Sequence, residues 1–163
     1  MGIRYDYFAA SSDRQAARAL AYAAGPSQPA VAPVRTGLLR RPLPVFETLR
    51  ATGIDPIVQM GTLEELLTGR SFTEVLHDPR SGEVVADRDD STVMVLTTTR
   101  ALQRALAAAD VDQLRAVSGP WAATEEFFGT ATGEQVLPFL ADLAALARSA
   151  TARRERLYCW LAH

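Results

Sequence analysis

Lysine is absent from this chain; all 17 of its lysine-or-arginine positions are arginine. That absence removes a lysine Schiff base, a phosphate-loop lysine and a lysine general base from the chemistry available. Cysteine occurs once, at Cys159, so no internal disulfide can form, which fits a reducing compartment. No apolar run approaches the roughly 18 residues that a membrane helix needs. Arg4 and Asp6 interrupt the N-terminal stretch before a signal-peptide core could form, so the expectation is a cytoplasmic protein. Excess charge is also missing: a formal net charge of −2, with no arginine–aromatic stripe, gives no long-range attraction for phosphate backbones. Neither nucleic acid nor membrane is expected as a partner.

What is present is a globular composition. Residues 1–163 amount to one domain's worth of chain, and 48% hydrophobic with 22% charged residues lies within the folded range. Both ends alternate with period two. Ile3, Tyr5 and Tyr7 alternate with Arg4, Asp6 and Phe8, and Leu157, Cys159 and Leu161 alternate with Tyr158, Trp160 and Ala162. Each pattern predicts a strand, and the two are expected to be partners in one sheet.

Most of the chain between them reads as helix. Ser12 with Gln15 carries a capping-box signature opening a helix through Ala16, Ala17, Leu20 and Ala24. The proline-rich stretch 25–44 reads as a long ordered loop or flap. A short helix is expected through Val45, Phe46 and Leu49 to Gly53, and another capped by Thr62 with Glu65, its Leu63, Leu66 and Leu67 facing inward. Ser71 with Glu74 repeats the capping pattern, and Glu83 to Ala86 reads as a brief strand ahead of a polar turn at Asp87-Arg88-Asp89-Asp90. Thr92 to Thr97 is the best internal strand. Thr97 or Thr98 starts a helix, and Asp110 with Gln113 caps the next as far as Gly119. Pro120 and Trp121 open a short helical stretch through Phe128. In the last helix Leu140, Leu143, Ala144, Ala147 and Thr151 form the stripe, with Pro138 placed in its first turn.

Three parts of this pattern resemble the YfbM-like family of small bacterial proteins of unknown function. They are the opening MGIRYDYFAASSDRQ, the element Leu63-x-x-Leu66-Leu67-Thr68-Gly69, and the C-terminal half from VLTTTRALQRAL through Trp121 and Glu125-Glu126 to the long helix and aromatic strand. The resemblance implies an α+β fold and an immunity-type binding role, and it supplies no catalytic residues. One departure stands out. Where the family often has Asp-Lys-x-Trp, this chain reads Ile54-Asp55-Pro56-Ile57-Val58.

Glu125 and Glu126, beside Trp121 and Phe128, form the most site-like cluster, because an aromatic neighbour can raise a carboxyl pKa for general-acid work. Adjacent helical residues diverge by about 100°, so both carboxylates cannot face one atom, and the plainer reading is that one is solvated and the other satisfies a backbone amide or an arginine. Glu64-Glu65 fails by the same geometry. His77-Asp78 lacks a nucleophile elbow to serve, and the aspartates at 87, 89 and 90 lack the glycine and distal glutamate of a calcium loop. Cys159 and His163 share a strand face but lie about 13 Å apart along it, too far for one ion. No metal and no cofactor are expected.

The terminal aromatics remain. Side-chain parity puts Tyr158 and Trp160 on the sheet face opposite Leu157, Cys159 and Leu161, and separates Tyr5 and Tyr7 from Phe8. An open aromatic face would bind a partner; the alternative is that segment 25–44 covers it. The expected fold is α+β, a mainly antiparallel sheet of three or four strands with helices on one face. The expected function is protein binding by a monomer or homodimer through Tyr5, Tyr7, Trp121, Phe128, Tyr158 and Trp160. The alternative is a small-ligand enzyme or hydrolase using Glu125 or Glu126.

Overall fold

The computed structural model describes residues 3–22, 24–27, 45–88 and 90–163. The expected loop at 25–44 therefore lies almost wholly outside the described residues. The strands are β1 (Arg4–Ala10), β2 (Thr48–Thr52), β3 (Val84–Arg88), β4 (Val93–Thr97) and β5 (Arg156–Ala162). The helices are α1 (Asp13–Ala17), α2 (Val58–Thr68), α3 (Phe72–Leu76), α4 (Arg100–Ala108), α5 (Val111–Ala122) and α6 (Gly133–Ala152). Short 3-10 turns follow α1, at Arg18–Ala21, and α5, at Glu125–Phe127.

The strands form one antiparallel sheet in the order β2-β1-β5-β4-β3. The two terminal strands lie side by side at its centre, with Tyr7 opposite Cys159 and Phe8 opposite Tyr158. The α+β class and the pairing of the ends are as the alternation predicts. The count of three or four strands is not: the described residues form five. The extra one is β2, where a helix was expected. Phe46, Leu49 and Gly53 have helix-like spacing, but Leu49 and Ala51 alternate between Thr48 and Thr52, and Ala51 turns into the core.

Helix boundaries also shift for identifiable reasons. Asp55 accepts the amides of Ile57 (2.8 Å) and Val58 (2.9 Å), so α2 starts there; Thr62 lies inside it and donates to the Gln59 carbonyl. Thr99, not Thr97 or Thr98, caps α4 by accepting the Leu102 amide. α5 runs through Gly119 and Pro120 to Ala122, and Pro138 sits in the second turn of α6, whose cap is Thr132. Thr151 is exposed and Ala150 takes its place in the buried stripe. The first helix is a single α turn continued as 3-10, capped by Ser12 as expected. β3 extends to Arg88, so the polar turn is shorter than the sequence suggests.

Both faces of the sheet are covered, which corrects the expectation of helices on one face only. On the broad face, α2, α4, α5 and α6 cover Tyr5, Tyr7, Leu96, Leu157, Cys159 and Leu161. The start of α6 approaches α5 so closely that a Cβ on Gly133 would lie 2.8 Å from the Gly119 nitrogen. On the narrow face, α1, the turn behind it, Tyr22 and Phe46 cover Phe8, Val95, Tyr158 and Trp160.

Candidate functional site

Most of the aromatic residues expected to bind a partner are structural. Tyr5, Tyr7, Trp121, Tyr158 and Trp160 are all buried. Tyr7 donates to the Ile54 carbonyl at 2.7 Å, and the Trp121 indole donates to the Gln59 carbonyl at 2.8 Å. The face carrying Tyr158 and Trp160 is closed rather than open: Phe8 meets Phe46 edge-on at 4.9 Å and stacks with Tyr158 at 5.8 Å. Phe128 alone of the six faces solvent, at 88% exposed, held in the left-handed region at φ 51°. Phe127, not Phe128, packs on Trp121, with centroids 5.0 Å apart. Glu125 is exposed and Glu126 half-buried, and no aromatic pocket holds either carboxylate among the cavities that the described residues line.

The carboxylates that the fold does engage were not the ones expected. Glu64, on α2, is 1% exposed. It accepts from Arg70 Nη1 at 2.7 Å and from the Thr99 hydroxyl, while Arg70 also reaches Asp78 at 3.3 Å and the Glu74 carbonyl. Burial pushes the Glu64 carboxyl above its ordinary value, and the Thr99 and Arg70 contacts only partly oppose that. Such a carboxyl is a general-acid candidate on pKa grounds. Its surroundings argue otherwise. The void beside it measures about 10 Å³, room for no more than a water. Glu64 joins α2 to the cap of α4 and, through Arg70, to the loop after α3.

A second arginine–carboxylate clasp lies on the narrow face. Arg80 holds Asp13, at the start of α1, in a two-nitrogen grip at 2.9–3.0 Å, and Tyr158 donates to the same carboxylate at 2.7 Å. The Arg80 and Tyr158 hydrogen bonds hold the Asp13 carboxyl below its ordinary range, and burial with Asp13's charge pushes Tyr158 up to about 12. Asp78 links the two clasps, accepting the Arg80 amide at 2.9 Å while touching Arg70. His77, beside it, is exposed at the end of α3 with Nδ1 2.7 Å from the Thr73 carbonyl. A third carboxylate, Asp6, is fully buried against Arg4 beneath Gly25, whose φ of 96° and lack of a Cβ permit the contact.

Cys159 is buried and its thiol is pushed well above the ordinary value by burial, so it is an inert core residue and no nucleophile. Among the described residues no group of three or more metal-ligating side chains converges. No helix among them is long and apolar enough to cross a membrane.

Two open concavities of about 300 Å³ have the size of a ligand or side-chain site. One is a groove of about 320 Å³ between α2, α4 and α5, lined by Leu66, Leu67, Ala105, Ala108, Ala116 and Val117. Leu66, expected to face inward, is 38% exposed and forms part of its wall. The other, of about 300 Å³, lies where the start of α4 meets the turn from α6 into β5, and it is lined largely by arginine. No family model, no curated protein and no solved structure matches this chain.

Proposed function

We propose that this chain is a cytoplasmic protein-binding module acting by surface complementarity without catalysis, of the immunity type that the YfbM-like resemblance implies. The observation that carries the reading is the α2–α4–α5 groove. It is open to solvent, and its side chains are mostly small and aliphatic, four of them alanine, with Gln113 as the polar member. Small side chains between helices let another helix approach closely, ridge into groove, so the occupant that fits is the apolar face of a partner's helix. Exposed Leu66 on one wall and Val117 on another supply the aliphatic contacts. The buried titratable groups support the same reading from the other side: Glu64 and Tyr7 hold elements together, and Asp6 is engaged by Arg4 within β1.

The test is photo-crosslinking from a probe placed at Ala108, with a Leu66→Asp variant in parallel. A single protein crosslinked by the wild type and lost in Leu66→Asp, with unchanged melting of the variant, supports the reading. Equal capture by both proteins, or none by either, overturns it.

A further inference from the structure

Four arginines converge on the concavity between α4 and the α6–β5 turn. Arg100 and Arg104 lie on one face of α4 and Arg154 and Arg156 on the far side, around a volume of about 300 Å³. The frame beneath them is rigid. Gln103, between Arg100 and Arg104, is buried and spends its whole amide on the turn opposite. Its Nε2 donates to Thr151 Oγ1 at 3.2 Å and to the Glu155 carbonyl at 3.0 Å, and its Oε1 accepts the Leu157 amide at 3.1 Å. That side chain ties the two arginine-bearing walls together.

The charge in this concavity is not cancelled locally. Arg100, Arg104 and Arg154 make no ion pair with any described residue. Glu155 is the only carboxylate in the lining, and it is already held by Arg153 at 2.8 and 2.9 Å. Arg156 feels Asp13 only as a neighbouring charge. The wall contains no aromatic ring to stack on a base and no aliphatic patch to hold a lipid tail.

Arg154 also occupies a position that suits glycine better. It follows the cap of α6 at φ 57°, with its amide bonded to the Thr151 carbonyl and the next amide to Ala150 at 2.8 Å, the doubled closure that glycine usually completes. The arginine there carries a backbone cost that glycine would not.

We propose that this concavity is an anion site for a compact polyphosphate group, bound by the forked guanidinium donors of Arg100, Arg104, Arg154 and Arg156. Guanidinium matches phosphate oxygens in pairs, and several converging forks favour an anion of three or four charges over a monoanion. The phosphate chain could be free or carried by a nucleotide, since the recognising groups see only its oxygens.

The test is calorimetric titration of the full chain, at constant low ionic strength, with pyrophosphate, tripolyphosphate, ATP, inorganic phosphate and citrate, alongside Arg104→Glu and Arg154→Gly variants. Sub-millimolar binding of pyrophosphate or tripolyphosphate, weakened roughly tenfold or more in each variant, is the expected result. Arg154→Gly should melt at or above the wild-type temperature, so its loss of binding cannot be a loss of folding. ATP bound as tightly as tripolyphosphate assigns the site to a nucleotide-borne chain; much weaker ATP binding assigns it to inorganic polyphosphate. Citrate or inorganic phosphate binding as tightly as pyrophosphate, binding undiminished in either variant, or no sub-millimolar binding of either polyphosphate would overturn the proposal.

Discussion

On the broad face of the sheet, four helices bury Tyr5, Tyr7, Leu157, Cys159 and Leu161 under a layer rich in leucine and alanine, with Trp121 and Phe139 stacked behind it. On the narrow face, the described residues that do the covering are a five-residue helix, one 3-10 turn and two aromatic side chains, Tyr22 and Phe46. Each face is fastened by an arginine–carboxylate clasp, and the two clasps behave oppositely. Glu64 is so deeply buried that desolvation outweighs its partners. Asp13, its side chain 45% exposed, keeps part of its hydration and is favoured as an anion by Arg80 and Tyr158. The same pair of residue types thus holds a reluctant anion on one face and a stable one on the other, and the depth of burial decides which.

The sharpest way to break this comparison is to remove the aromatic centre of the narrow face. Phe8→Ala should cost about 3–5 kcal/mol by urea unfolding, because the fully buried ring packs on both Phe46 and Tyr158. A loss below about 1 kcal/mol would mean that the narrow face contributes no core of its own. Next come the clasps. Arg70→Ala leaves Glu64 buried without its cation and should cost about 2–3 kcal/mol, whereas Arg80→Ala lets Asp13 rehydrate and should cost about 1 kcal/mol. Equal losses would remove the distinction between them.

The pH dependence sharpens the contrast further, since the signs are opposed. Glu64 has a raised folded pKa, so its contribution is complete below the ordinary value of 4.5 and is lost as pH rises from there through the folded value. Asp13 has a lowered folded pKa, so its contribution is present above the ordinary 3.8 and disappears as pH falls through the folded value. Glu64→Gln should therefore flatten the decline above pH 4.5, and Asp13→Asn the decline below pH 3.8, in stability measured against pH. If both variants flatten the same limb, the assignment of the two clasps fails. The smallest effect belongs to a residue on neither face: Phe128→Ser should change stability by no more than about 0.5 kcal/mol, read by thermal melting.

Much of this arrangement is written locally in the chain. The period-two ends, the Ser71–Glu74 and Asp110–Gln113 caps and the Val93–Thr97 strand are short-range signals, and each forms where the residues indicate. β2 was misread because three spaced apolar residues fit a helix as well as a strand when the flanking Thr48 and Thr52 are ignored. Glu64 escapes the sequence reading because the divergence of adjacent helical carboxylates excludes a shared target for Glu64 and Glu65 and says nothing of the burial of one. A signal was there, however: Met60, Leu63, Glu64 and Leu67 fall at i, i+3, i+4 and i+7, so the carboxylate lies on the apolar stripe. Arg100, Gln103 and Arg104 likewise share one face of α4, but their meeting with Arg154 and Arg156 is tertiary. No local pattern announces it.

The central position of β1 and β5 also governs how this chain reaches its native state. β5 is the last of these elements to leave the ribosome, yet it joins β1 to β4 and so unites the two halves of the sheet. Until it emerges, the β2–β1 and β4–β3 pairs have no common backbone partner, and both expose strand edges and aromatic side chains. Sheet closure is thus a late step of high contact order, and nascent chains held just short of Arg156 are the species most in need of a chaperone.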